Sequence, residues 1–208
     1  MAKYYAWAAV AAAVLVIVGT IFVTSGKDDD KYAHCQKTAV AGGLGAIGGP
    51  FTMVDENGKT VTDKDVIDMP TLLYFGYTYC PDVCPLDSAR NAEAVEILEK
   101  SNEMVKPVFV SVDPERDTPA LLRDYTDNLS PRFLGLTGSS EQVKAISKAY
   151  HTYYSRREAE DGDPDSYLFD HSTSSYLVFP GEGTVAIFSR NVEPQAMADE
   201  IGCYLEAR

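Results

Sequence analysis

Basic residues are scarce in this chain of 208 residues, since 18 lysines and arginines stand against 31 aspartates and glutamates for a formal net charge of −13. Proteins that bind nucleic acid use patches of lysine and arginine to neutralise phosphates. The composition therefore excludes a simple nucleic-acid surface, and we expect no nucleic-acid partner. An acidic exterior suits cationic partners or metal ions, and it is equally explained by solubility alone.

Charge is absent altogether from Ala6 to Val23. An uncharged apolar run of this length can form one helix across a bilayer. Lys3 precedes the run and Asp28 to Asp30 follow it, so the positive-inside rule places the N-terminus in the cytoplasm. A cleaved signal peptide is the alternative, although the run is longer than the usual h-region and lacks an Ala-x-Ala site. No arginine-rich and serine-rich import sequence precedes the run, which favours a bacterial inner-membrane protein with its C-terminal domain in the periplasm.

These features predict four segments along the chain. Residues 1–5 form the cytoplasmic N-terminus, residues 6–24 one N-terminal transmembrane helix, residues 25–50 a flexible tether and residues 51–208 a folded domain. The tether prediction depends on a glycine-rich run that ends at Pro50. The remaining residues, about 160, suffice for one well-buried core and are too few for two ordinary domains.

Strands alternate with helices in the predicted domain. An Asn57-Gly58 turn predicts an opening hairpin, and the run Thr71–Tyr77 predicts a strand buried on both faces. The other predicted strands are Pro107–Val112, Phe133–Leu136, Ser175–Phe179 and Val185–Phe188, and the predicted helices are Leu86–Glu103, one that opens at Thr118-Pro119, Ser140–Tyr150 and Pro194–Glu206. A hairpin closes the sheet, so the pattern predicts an α/β three-layer sandwich with a mixed sheet.

Cysteine is also rare, and two of the four cysteines lie together in the segment Cys80-Pro81-Asp82-Val83-Cys84-Pro85. The pair follows the first buried strand and precedes a helix, which is the thioredoxin-like arrangement. Pro85 fits the first helical position, so Cys84 is the predicted N-cap. The helix N-terminus stabilises thiolates. The spacing lets both sulfurs hold a metal or close into a reversible disulfide, and a structural disulfide or two buried thiols is the plainer alternative.

Only three histidines are present, and His171 lies shortly before the predicted strand Ser175–Phe179. A thioredoxin-like sheet brings that loop beside the cysteines. Two soft sulfurs and one imidazole select Cu(I), and imidazole also accepts Cu(II). No proline lies between His171 and Tyr176, where thioredoxin-like oxidoreductases place a cis-proline that faces the cysteines. This absence opens the sulfurs to a metal, so the sequence favours copper bound by Cys80, Cys84 and His171.

Other polar residues have competing interpretations. Asp113, Arg116 and Asp117 either line the metal site or a partner surface, or form an arginine–carboxylate clamp with a helix cap at Asp117 or Thr118. His151 is explained by a favourable position at a helix end.

Two further groups of residues lie outside these motifs. Asp161, Asp163 and Asp165 alternate as in a calcium loop, but Ser166 replaces the required glycine, so calcium is rejected. The other two cysteines, Cys35 and Cys203, either pair to fix the tether to the domain or stay free.

Three motifs in combination resemble the Sco (SenC/PrrC) family of copper-binding assembly factors for cytochrome c oxidase. They are Cys80-Pro-Asp-Val-Cys84-Pro, the segment from Ser111 to Pro119, and Asp170-His171-Ser172. Departures from the family pattern are modest: Tyr79 stands where a polar residue is expected, and Leu86-Asp87-Ser88 follows Pro85 where hydroxyl residues are common.

The resemblance implies a thioredoxin-like fold with copper held by Cys80, Cys84 and His171. It further implies delivery of the copper to the binuclear centre of oxidase subunit II on the periplasmic face, and a periplasmic copper donor or thiol reductant as a second partner. We therefore expect a metallochaperone rather than an enzyme. The alternative is a thiol-disulfide oxidoreductase, in which Cys80 and Cys84 are the redox-active pair that reduces the copper-ligand cysteines of the same target.

Overall fold

The computed structural model describes residues 31–36, 44–158, 163 and 166–208. The chain divides into two units, Met1–His34 and Cys35–Arg208. The predicted segments 1–5 and 6–24 lie outside the described residues. Within the part that is described, no helix has the length and apolar character needed to cross a bilayer.

The strands of the described residues form one large and one small sheet. They are β1 (Thr52–Asp55), β2 (Thr60–Thr62), β3 (Thr71–Gly76), β4 (Lys106–Ser111), β5 (Leu134–Thr137), β6 (Tyr154–Arg157), β7 (Leu168–His171), β8 (Ser175–Phe179) and β9 (Gly183–Phe188). The large sheet has the order β2-β1-β5-β4-β3-β8-β9. Its three central strands β5, β4 and β3 run parallel, and its other neighbours pair antiparallel. The predicted α/β fold with a mixed sheet is confirmed.

Five α-helices accompany the sheet in the described part of the chain. They are α1 (Asp63–Val66), α2 (Val83–Lys100), α3 (Pro119–Asp127), α4 (Ser140–Ala149) and α5 (Pro194–Glu206). The hydroxyls of Thr118 and Ser139 cap α3 and α4, because they accept hydrogen bonds from the backbone N–H groups of Leu121 and Gln142. All six residues of β3 are buried, as the uncharged run predicts. This strand leads directly to the cysteine pair.

Helix α2 begins earlier than the sequence predicts. Its N-cap is Asp82 rather than Cys84, so Cys84 lies in the first turn and the N-cap prediction is wrong. The first backbone N–H groups of a helix have no intrahelical acceptor, so Pro85 is tolerated anywhere in this turn and does not fix the start. The helix also ends at Lys100 rather than Glu103, and Asn102 has a positive φ of 61° just beyond it.

Strands β6 and β7 form a separate two-stranded antiparallel sheet that the sequence pattern does not predict. We call these two strands the His171 arm, since His171 is the last residue of β7 and pairs with Tyr154 of β6. Both strands are half-exposed and one of them contains two arginines, so neither has the apolar run that identifies the central strands.

The end of the predicted tether packs against the folded unit. Leu44–Ala46 forms a short 3₁₀ helix, Ile47 is buried, and the backbone N–H of Gly48 donates to the carbonyl of Ala149 at 2.7 Å. The prediction of a flexible tether as far as residue 50 is therefore wrong at its C-terminal end. Cys35 and Cys203 form a disulfide with a Cα–Cα distance of 5.7 Å, so the paired alternative is correct.

Candidate metal centre

The structure brings Cys80, Cys84 and His171 together. One ligand atom from each residue lies within 4.8 Å of the other two, and Cys84 Sγ is 3.2 Å from His171 Nε2. Cys84 is fully buried and Cys80 is 9% exposed. Cys80 precedes α2, Cys84 lies in its first turn, and His171 enters from the separate arm.

The N-terminus of α2 surrounds the sulfur of Cys80 with donors. The backbone N–H of Cys84 donates to Cys80 Sγ at 3.3 Å. A hydrogen bond from the Cys84 thiol, followed by the amides of Asp82 and Cys84, lowers the pKa of Cys80 well below that of an ordinary thiol. The same contact with Cys80, together with burial, raises the pKa of Cys84. The metal-free pair therefore contains one thiolate, on Cys80, and one thiol.

His171 is oriented for ligation through Nε2. Its Nδ1 lies 2.9 Å from the backbone oxygen of Ser172. Because a carbonyl oxygen can only accept, Nδ1 carries the proton, and the lone pair of Nε2 faces the sulfurs. The rings of Tyr74 and Tyr77 meet the imidazole edge to face at centroid distances of 6.3 and 5.8 Å.

Sequence reasoning missed both of these tyrosines, because they belong to an apolar run that signals only a buried strand. The Tyr74 hydroxyl donates to the buried carboxylate of Asp87 at 3.1 Å. Burial raises the pKa of Tyr77 to about 12 and raises the pKa of Tyr74 as well, so both rings stay neutral. They form an uncharged wall behind His171.

Gly76 lies against Cys84 and was also missed. A Cβ at this position would be 3.0 Å from Cys84 Sγ, 3.0 Å from Tyr74 Cε1 and 3.1 Å from Phe109 Cε2. Glycine here gives the buried sulfur and two aromatic rings the space they occupy. An isolated glycine at the end of a strand of large residues is the available signal, since it indicates a close approach by another group.

The loop Ser111–Asp117 flanks the centre without supplying ligands. Arg116 Nε is 2.5 Å from Asp113 Oδ2, and the cap of α3 is Thr118, so the clamp interpretation is correct for these residues. Asp117 is not a cap. Its buried carboxylate accepts hydrogen bonds from Thr78 and Ser111, and burial raises its pKa.

The remaining histidine and aspartate predictions concern residues away from the cysteines. His151 is exposed and follows α4 with a positive φ of 52°. Asp163 is exposed and accepts a hydrogen bond from the Ser166 hydroxyl, whereas Asp161 and Asp165 lie outside the described residues. None of the metal-ligand clusters found among the described residues contains His151 or Asp163.

Exposed apolar side chains border the centre. Tyr79 is 54% exposed beside Cys80, Leu86 is 61% exposed in the first turns of α2, and Tyr153 is 62% exposed. The backbone N–H of Tyr153 donates to the Ser172 hydroxyl at 2.9 Å, so this tyrosine adjoins His171. We call Tyr79, Leu86 and Tyr153 the apolar rim.

Two sulfurs and one imidazole form a soft donor set that suits copper, and Cu(I) in particular. The sulfurs are also close enough for the alternative chemistry, since neither cysteine is in a disulfide and both belong to the same cluster. The arrangement can therefore hold a copper ion or form a disulfide, but it cannot do both with the same sulfurs at once.

Comparisons with known proteins find members of one family. A family model described as SCO1/SenC matches residues 40–206. Protein SenC of Rhodobacter capsulatus is 48% identical over 201 residues, which covers 96% of this chain and 89% of SenC. Two solved structures with copper bound are similar: Arabidopsis thaliana ScoI at 40% identity with a TM-score of 0.74, and Bradyrhizobium japonicum ScoI at 38% with a TM-score of 0.68. They cover 78% and 76% of this chain, and the match spans 100% and 99% of theirs.

Proposed function

The chain belongs to the SCO1/SenC family, and on this basis we propose that it binds copper through Cys80, Cys84 and His171 and delivers it during cytochrome c oxidase assembly. The convergence of these three side chains, with ligand atoms within 4.8 Å of one another, is the observation that carries the proposal. Copper is the cargo of such a protein, so the site must release the metal as well as hold it.

The protonation states of the proposed ligands support reversible binding of copper. The thiolate of Cys80 is ready to bind Cu(I), and Nε2 of His171 supplies a neutral ligand that also suits Cu(II). The similar copper-bound structures, at 40% and 38% identity, support copper as the metal. Transfer then proceeds by ligand exchange, as thiolates or imidazoles of the recipient replace those of the chain.

The recipient that we propose is subunit II of the oxidase, at its binuclear copper centre. The apolar rim gives a docked protein an apolar contact directly beside the buried sulfurs, which favours a protein recipient over release of copper into water. We further propose that residues 6–24 anchor the chain in a bacterial inner membrane, with residues 51–208 in the periplasm. The disulfide between Cys35 and Cys203 supports this location, because such bonds persist outside the cytoplasm.

A second candidate function is reduction of the recipient's cysteines. The Cys80 thiolate beside the Cys84 thiol is the observation that favours it. The Cys80 thiolate would attack a disulfide of the target, and the sulfur of Cys84 would then attack Cys80 in the mixed disulfide and displace the target's sulfur. The chain would thereby give two electrons and the one proton of the Cys84 thiol to the target, which takes its second proton from water, and the chain would finish with a Cys80–Cys84 disulfide.

Complementation of a strain that lacks this protein separates the two functions. We expect His171→Ala to fail to restore copper to subunit II although it keeps both thiols, whereas Cys80→Ser fails on either mechanism. His151→Ala is the matched control, because it removes an exposed histidine at the end of α4. Full oxidase assembly with His171→Ala would contradict copper delivery and would favour the thiol-disulfide function.

A further inference from the structure

Asp117 connects the loop Ser111–Asp117 to the segment that carries the cysteines. Its carboxylate is fully buried and accepts hydrogen bonds from the Thr78 hydroxyl at 2.6 Å and from the Thr78 backbone N–H at 3.1 Å. Thr78 is two residues before Cys80. This end of the loop therefore holds the segment that leads from β3 into α2.

Asp113 connects the same loop to the His171 arm. Its carboxylate is also fully buried, and it accepts a hydrogen bond from the Tyr167 hydroxyl at 2.9 Å. Tyr167 immediately precedes β7, the strand that ends at His171. The guanidinium groups of Arg116 and Arg156 each lie 3.6 Å from the centroid of the Tyr167 ring.

Hydrogen bonds within the loop join its two ends. Ser111 Oγ accepts from the backbone N–H of Asp113 at 3.0 Å and donates to Asp117 Oδ2 at 2.5 Å. The backbone N–H of Asp117 donates to the Asp113 carbonyl at 2.9 Å. The two buried carboxylates are thus held at a fixed separation, one towards the cysteines and the other towards the arm.

The His171 arm needs such a connection, because β6 and β7 pair with each other and not with the large sheet. Aromatic contacts continue the connection towards the centre: the ring of Phe169 meets those of Tyr167 and Tyr77 at 5.7 and 5.5 Å, and Tyr77 in turn faces His171. Tyr167 is the residue through which the loop contacts the His171 arm.

We propose that Tyr167, held by Asp113 and Arg116, is a positioning residue that sets the placement of His171 relative to Cys80 and Cys84, an inference that rests on the copper function proposed above. Tyr167 contacts Asp113, Arg116, Arg156 and Phe169, and none of these is a proposed ligand. Its hydroxyl is 2.9 Å from a loop whose other end holds the cysteine segment, so it fixes one ligand with respect to the other two.

Tyr167→Phe removes this hydroxyl and keeps the ring between the two arginines. We expect the full chain to bind copper roughly 10- to 100-fold more weakly, the range seen when partners of metal ligands are removed. Tyr150→Phe is the matched control, because it also removes one tyrosine hydroxyl, from a buried ring that packs against Phe51 and belongs neither to the loop nor to the arm. Equal copper affinities for Tyr167→Phe, the control and the unsubstituted chain would overturn the proposal.

A double-mutant cycle tests whether Tyr167 acts through His171. If it does, Tyr167→Phe has no further effect on copper affinity in the His171→Ala background. An undiminished effect in that background would show a general structural role and would overturn the proposal.

A copper-free readout keeps this inference separate from the copper function itself. The chain has only three histidines, so the His171 ring resonances can be assigned by comparison with His171→Ala. In the reduced, metal-free chain we expect Tyr167→Phe, but not Tyr150→Phe, to weaken the nuclear Overhauser effects between the His171 and Tyr77 rings. Unchanged effects overturn the positioning role whether or not copper binds, whereas absence of copper binding by the unsubstituted chain contradicts the proposed function alone.

Discussion

At the scale of single residues, the sulfur of Cys84 and the imidazole of His171 lie 3.2 Å apart although 87 positions separate them in the chain. The sequence predicts both as ligands, because a cysteine pair at a strand–helix junction and a histidine before the partner strand are recognisable patterns. The tautomer of His171 depends on its contact with Ser172, and the unequal protonation of the cysteines depends on the hydrogen bond between them and on the α2 amides. These contacts exist only in the folded chain.

The unequal pKa values of the two cysteines predict the pH dependence of alkylation. An ordinary thiol with a pKa of about 8.5 becomes roughly tenfold less reactive for each pH unit below that value. The pKa of Cys80 is lowered, so its thiolate persists as the pH falls, and we expect its alkylation rate to change little between pH 8 and pH 6. Cys84, whose pKa is raised, is expected to stay unmodified.

Peptide mass spectrometry of the reduced chain after timed exposure to iodoacetamide measures both rates. Reductant conditions are chosen so that the Cys35–Cys203 disulfide stays closed, and its intact mass is the internal control. Equal rates at both cysteines, or a tenfold fall per pH unit at Cys80, would contradict the assignment of the thiolate.

At the scale of elements, the centre is assembled at the end of β3, the start of α2 and the end of β7. The first two are adjacent in the chain, and the sequence predicts their junction from a buried strand followed by prolines and a helical pattern. The His171 arm was missed because its strands are short and half-exposed and pair only with each other. Alternation of apolar residues carries little information in such strands, and the contact of Phe169 in β7 with Tyr77 exists only in the folded chain.

The substitution Gly76→Ala tests the close packing at the junction of β3 with α2. The added methyl group would lie 3.0 Å from Cys84 Sγ, so Cys84 or an aromatic neighbour must move. We expect a loss of about 1–3 kcal/mol in the free energy of unfolding, as for other overpacked cores, and weaker copper binding. Gly45→Ala is the control, because no atom lies within 4 Å of its added Cβ. Denaturant unfolding and copper titration of both variants provide the measurement, and equal results would exclude close packing at Gly76 as a requirement of the centre.

At the scale of the whole chain, two pairs of cysteines have opposite tasks. The copper function proposed above requires Cys80 and Cys84 to be reduced, whereas Cys35 and Cys203 form a disulfide across 168 positions. The sequence leaves Cys35 and Cys203 either paired or free, because pairing depends on the fold that brings Cys35 to Cys203 of α5.

The long separation predicts a large effect of the disulfide on stability. Closure of so long a loop restricts the unfolded chain, and the chain-entropy model gives about 5 kcal/mol for its loss. We therefore expect Cys203→Ser to lower the unfolding midpoint in denaturant substantially while both copper-site thiols remain. Cys80→Ser under the same non-reducing conditions is the control and should leave the disulfide contribution intact. An unchanged midpoint for Cys203→Ser would contradict a stabilising role.

Titration of the reduced full chain with Cu(I), with bound copper and free thiols counted by native mass spectrometry, tests copper binding at this centre most directly. We predict one tightly bound copper ion per chain, protection of Cys80 and Cys84 from alkylation by that ion, and loss of tight binding in Cys80→Ser. His171→Ala should bind at least roughly 100-fold more weakly, since loss of a ligand exceeds the loss of a partner of a ligand. Failure of the reduced chain to retain copper, or equal retention by the chain and both variants, would contradict the account.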